Sequence, residues 1–164
     1  MLRTLLYTGI ATGLTLLANT ALAQQSADGI EEITVTSNSR KSEGLPDINA
    51  AVSVIGEEEL RSIGHTHLQE TLNRLPGVSI HRNNGQESLT AIRSPVLTGA
   101  GACGAFLVAE NGIPVRSSGF CNVNEMFDLH AENAASVEVV RGPGSAFWGS
   151  NAVHGLVNVV LPKA

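Results

Sequence analysis

Hydrophobic positions along this chain fall in short runs separated by polar and glycine-rich breaks, and most of the runs are β-branched. Val137-Glu138-Val139-Val140 and Leu156-Val157-Asn158-Val159-Val160 each predict a strand. Between them stand Gly142, Pro143, Gly144, Gly149 and Gly155, so a tightly folded crossover with little side-chain bulk joins the two strands. Upstream, Ala51 to Ile55 predicts a strand that Gly56 ends, and Glu57-Glu58-Glu59 opens a helix whose acids suit its N-terminal dipole. Gly64 interrupts that helix. Thr66 is placed to cap a second one running through Leu75, with Leu68, Leu72 and Leu75 on one face, until Pro76-Gly77 stops it.

Val78 to His81 is the next strand, Asn83 to Gln86 a loop, and Ser88 to Arg93 a returning strand. Ala105 to Ala109 and Ile113 to Arg116 flank Asn111-Gly112, a hairpin signal because both turn residues tolerate positive φ. Pro114 cannot donate to a ladder, which sends its arm to a sheet edge or a bulge. Phe127-Asp128-Leu129 leads to a short helix near Glu132 to Ala135. Strands and helices mix without regular βαβ alternation and no repeat is visible. The pattern predicts an α+β domain, a small mixed β-sheet with short flanking helices.

The first residues stand apart from this pattern. Arg3 supplies a positive start, Leu5 to Leu17 an apolar stretch, and Ala21-Leu22-Ala23 a small-x-small cleavage site before Gln24. The apolar stretch is short of the roughly 20 residues a membrane span needs. Residues 1–23 therefore read as a secretory signal, and removing Arg3 with them takes the formal charge from −5 to −6. The segment 24–44 reads as a flexible N-terminal extension: Gln24 to Gly29 is a polar tail, Glu31 to Ser37 an extended run, Ser37 to Gly44 a linker. Export places Cys103 and Cys121 in an oxidising compartment, where a disulfide between them would stabilise by about 3 kcal/mol; two unpaired buried thiols are the alternative.

Among 164 residues there are only ten lysines and arginines, and no basic patch or aromatic ladder suits nucleic acid. Gly142-Pro143-Gly144 after a strand has the look of a dinucleotide turn, but the third glycine comes two places late and Pro143 removes an N–H. A phosphate-cradling loop needs a lysine, and there is none between Lys41 and Lys163. His65 and His67, two apart, point to nearly opposite sides of a helix and make no metal site. His81, His130 and His154 are scattered. No base–nucleophile pair emerges, and no catalytic residue, metal or cofactor is assigned.

The stretch from Val137 to Val160 resembles the end of the plug domain of TonB-dependent outer-membrane receptors. Arg141-Gly142-Pro143, then Ser145-Ala146-Phe147-Trp148-Gly149, then Asn151 to Asn158 follow that family's strand, R-G-P, small-aromatic-Gly and Gly-rich return. Leu72 to Val78 is similar to its helix-L-P-G-V passage, and Glu110 to Val115 to its D-G-x-P-V turn. Ile92-Arg93 matches its I-R-G, with Ser94 in place of the glycine and Pro95 after it, which puts the usual glycine turn in doubt. The likeness covers about Leu45 to Lys163, so 45–164 reads as the plug domain, with Gly142, Pro143, Gly144, Trp148, Gly149 and Gly155 its motif residues.

The resemblance implies a gating module of an active transporter for a scarce nutrient such as a ferric siderophore. It implies a TonB-type energy transducer as partner, captured by strand addition at a short box; Ile33, Thr34, Val35 and Thr36 are the candidate, an ordinary first strand of the plug the alternative. It implies that Arg93 and Arg141 face acids on a barrel wall, surface arginines of little pairing energy being the other reading. Loops at Asn83 to Glu87, Val96 to Gly104 and Ser117 to Asn124 would meet substrate. A barrel of about 22 strands needs several hundred further residues, and nothing in this chain supplies lipid-facing strands. The chain reads either as the front of an outer-membrane receptor or as a free-standing periplasmic plug-like binding protein.

Overall fold

The computed structural model describes residues 33–82, 85–96, 106–117 and 123–163. The signal-peptide reading of 1–23, the tail from Gln24 and both cysteines lie outside the described residues. Among the described residues nine strands are formed: β1 (Thr34–Val35), β2 (Glu43–Gly44), β3 (Val52–Gly56), β4 (Val78–Arg82), β5 (Ser88–Ile92), β6 (Phe106–Glu110), β7 (Ile113–Pro114), β8 (Ser136–Arg141) and β9 (Gly155–Val160). Three short α-helices accompany them among the same residues, α1 (Glu57–Ile63), α2 (Leu68–Leu72) and α3 (Ser145–Trp148).

The main sheet runs β3-β8-β9-β6-β7. β9 pairs antiparallel with β8 and parallel with β6, so the sheet is mixed and the fold is α+β, as the run pattern predicts. β4 and β5 make a separate hairpin and β1 and β2 a small ribbon. β7 is an edge strand of this sheet, the place Pro114 demands, and β3 is the other. Asn111 at φ 50 and Gly112 at φ 76 form the left-handed hairpin turn between β6 and β7.

Alternation sorts the central strands onto two faces. Val137, Val139, Val157, Val159, Phe106 and Val108 join Ile55 on one face, where Leu60, Leu68, Leu72 and the hairpin residues Ile80 and Ile92 cover them. Each such apolar side chain contributes about 1.5–3 kcal/mol by leaving water. Leu107, Ala109, Val140 and Leu156 occupy the other face beneath Trp148 and Ala152. Covering on both faces explains why β6, β8 and β9 read as nearly continuous apolar runs.

Several local expectations are corrected. Thr66 does not cap α2: His67 is its N-cap without a side-chain bond, and the Glu70 carboxylate instead accepts from the Thr66 N–H at 3.0 Å. That helix ends at Leu72 rather than Leu75. Asn73 turns away to bind Ile80 of β4 through both its amide groups, at 2.7 and 3.0 Å, and so ties the helix end to the hairpin. The helix expected near Glu132 to Ala135 is a 3-10 turn, Ala131–Asn133, preceded by another at Glu125–Asp128. Ser37 to Gly44 is not a flexible linker. Its residues fold back so that Glu43 and Gly44 pair with Val35 and Thr34, and the Leu45 N–H reaches the Ile33 carbonyl at 3.0 Å.

Candidate functional site

A glutamate in the middle of a fully covered strand is costly unless donors surround its charge. Glu138 of β8 is that residue, 2% exposed and on the face opposite α1 and α2, the one that Trp148 of α3 covers. Its donors come from the N-terminal ribbon. The Thr36 N–H lies 3.2 Å from both carboxylate oxygens, and the Thr36 hydroxyl donates at 3.3 Å. The Ser37 N–H donates at 2.9 Å and the Ser37 hydroxyl also binds the carboxylate. Bonds to an ionised acceptor are roughly twice as strong as neutral ones, so this is the firmest attachment of the segment.

Two further groups complete the seat. Asn158 is the cross-strand partner of Glu138, donates its Nδ2 to the carboxylate at 3.4 Å, and accepts the Gly112 N–H at 2.9 Å through its other amide atom. The pair therefore ties the ribbon, the sheet centre and the β6–β7 turn into one network. Trp148 of α3 donates its indole N–H to the Ser37 carbonyl at 2.7 Å. Its ring carries the Arg40 guanidinium at 4.9 Å, a cation–π contact on the same ribbon. The Gly-rich crossover positions it: the Gly144 N–H binds the Ala152 carbonyl at 2.8 Å, and Gly149 turns the chain at φ 87. Val35 and Ser37 are fully buried as a result, while Ile33 stays half exposed.

The arginines come together at a second place. Arg93 takes a left-handed φ of 51, so the turn that a glycine would make after it is made at the arginine itself. Its N–H binds the Gly77 carbonyl at 2.8 Å and its guanidinium reaches the Arg141 carbonyl at 3.2 Å. The Arg141 guanidinium binds the Pro76 carbonyl at 2.8 Å, and its enclosed Nε finds no acceptor among the described residues. Both side chains thus stand around the Pro76–Gly77 turn on neutral carbonyls. No carboxylate pairs with either among the described residues.

The remaining motif residues divide by role. Trp148 belongs to the ribbon seat, Gly142, Pro143 and Gly144 lead from Arg141 into α3, and Gly155 opens β9 beneath Ile92. The loops expected to meet substrate are described only in part. Glu138 was not singled out from the sequence, and Asn158 entered it only as the end of the return motif, without a role. The available signal was a charged and an amide side chain set singly into two β-branched runs.

Comparison with known proteins gives a consistent picture. The family model described as TonB-dependent Receptor Plug Domain matches residues 45–156. The chain is similar to the ferric yersiniabactin uptake receptor FyuA from Yersinia pestis at 24% identity and a TM-score of 0.57, covering 70% of this chain and 17% of that one. It is similar to the ferripyoverdine receptor of the outer membrane of Pseudomonas aeruginosa at 16% identity and a TM-score of 0.62, covering 84% and 17%. With the ferric citrate transporter FecA it shares 28% identity at a TM-score of 0.56, covering 71% and 18%. The chain therefore spans under a fifth of the length of these receptors.

Proposed function

Because the chain belongs to the TonB-dependent receptor plug family, we propose that it gates an outer-membrane transporter whose uptake is driven by a TonB-type energy transducer. The family is one of transport receptors rather than enzymes. Among the described residues no helix is long and apolar enough to cross a membrane; on this reading the domain sits inside a lipid-facing barrel. The domain fills its lumen, and Arg93 and Arg141 meet carboxylates of its wall. Two guanidinium groups resting on neutral carbonyls, one with an unpartnered Nε, support that role.

The substrate class is a ferric chelate, the siderophore class above all, an assignment supported by the cargo in the names of all three similar receptors. Coupling runs through Ile33 to Thr36. The observation that carries this reading is the extended strand at Thr34–Val35, paired in its own two-stranded ribbon and followed by the Thr36 and Ser37 bonds to Glu138, with Ile33 half exposed. An extended segment offers main-chain groups for strand addition once it is lifted.

The test is titration of the purified chain with the periplasmic domain of the energy transducer. We expect binding that Val35→Pro abolishes, since proline removes a strand donor. Undiminished binding of Val35→Pro would sink the assignment of the box.

A further inference from the structure

The coupling reading explains what a partner would grasp but not what holds the segment before it is grasped. We infer that Glu138, with Asn158 and Trp148, forms a binding site for the chain's own N-terminal peptide and sets how readily a strand-adding partner can take it. This deepens the coupling reading and rests on it only for the identity of the partner.

The ligand chemistry is specific. The site takes an extended segment presenting consecutive backbone N–H groups and hydroxyls, here Thr36 and Ser37, to a carboxylate, followed by a carbonyl for the indole N–H and a cation for its ring. Thr36 belongs to the candidate box, and its N–H is occupied by Glu138 while its carbonyl accepts the Arg40 N–H at 3.0 Å. Strand addition needs those same main-chain groups. Docking and capture therefore exclude each other at Thr36, and the strength of the seat subtracts directly from the affinity of the partner. Glu138 lies in β8 three residues before Arg141, so the docked segment is bonded to the strand that carries the proposed wall contact.

Amide hydrogen exchange on the purified chain tests the seat without any partner. Glu138→Gln keeps the shape but replaces one acceptor oxygen with an NH2 group, which faces a donor in either orientation of the amide: the Thr36 N–H at one oxygen position, or the Ser37 and Asn158 donors at the other. Exchange at residues 34–44 is expected to rise by about tenfold or more, while β3, β8 and β9 keep their protection. Unchanged ribbon exchange in a folded Glu138→Gln chain overturns the proposal. If that variant unfolds, Ser37→Ala takes its place, because it removes one donor from the ribbon and leaves the sheet intact. A severalfold rise then supports the seat, and no rise overturns it.

Titration with the transducer's periplasmic domain separates the two readings. Binding to Glu138→Gln about tenfold tighter than to the wild type supports competition, and equal affinities overturn it. Loosening of the ribbon with no binding to either chain supports the peptide seat and overturns the coupling reading instead.

Discussion

Gly155→Ala tests the packing on which the whole arrangement depends. Gly155 opens β9, between Arg141 of β8 and Phe106 of β6, and a Cβ there would stand 2.9 Å from Ile92 Cδ1, 3.1 Å from Ile92 Cγ2 and 2.9 Å from the Val140 carbonyl oxygen. Comfortable carbon contacts begin near ~3.5 Å. The Ile92 side chain is fully buried and has nowhere to swing, and Val140 is held in the β8–β9 ladder. Two of the obstacles thus lie on a packed side chain and one on backbone that cannot shift without breaking pairs. Overpacking of this kind costs about 3 kcal/mol.

With a urea dependence of about 2 kcal/mol/M, the unfolding midpoint falls by about 1.5 M. Trp148, the chain's single tryptophan, reports the transition by fluorescence. Gly56→Ala is the control: an added Cβ there meets nothing within 4 Å and φ is −81, so the entropic gain and the less favoured alanine N-cap of α1 should leave stability within about 0.5 kcal/mol. A Gly155→Ala midpoint within about 0.3 M of the wild type would refute the close approach of β9 to the hairpin.

Two further outcomes follow from the charges. Asn158→Asp sets a second carboxylate beside buried Glu138, 3.4 Å away in the present geometry, and should cost about 3 kcal/mol at neutral pH. Urea unfolding reads that penalty, and a midpoint equal to that of the wild type would count against the network. His130 lies 3.0 Å from Glu110, whose hydrogen bond raises the imidazole above its ordinary pKa, while the His130 backbone N–H chiefly lowers that of Glu110. A raised histidine contributes stability below its unfolded value of about 6.5 and loses it as pH rises through the folded one. His130→Gln should therefore lower the urea midpoint at about pH 5.5 and do so less at about pH 8.5; a larger loss on the alkaline side would contradict the pairing.

Much of the fold was legible because its signals are local. Asn111-Gly112 names its own turn, Pro114 names an edge, and Gly64 ends α1 in the left-handed conformation at φ 58. The β-branched runs named β3, β4, β5, β6, β8 and β9, and the order of motifs from Leu72 to Asn158 named the family. Helix starts were less legible. Whether Thr66 or His67 caps α2 turns on where Glu70 reaches, a matter of one bond.

The seat for the N-terminal segment was out of reach of the sequence for a different reason. Alternation says which residues share a face, but not that both faces of β8 are covered, and it is the covering that makes Glu138 a charge in need of donors. Those donors lie about a hundred residues earlier, |i−j| being 101 for Ser37, in a stretch whose polar composition reads as linker. The strands of the main sheet and of the β4–β5 hairpin, the Asn111-Gly112 turn and the family were therefore determined by the sequence alone. Tertiary structure alone decided that Glu138, Asn158 and Trp148 meet Thr36 and Ser37, because a buried carboxylate selects its partners by position in space and leaves no periodic trace along the chain.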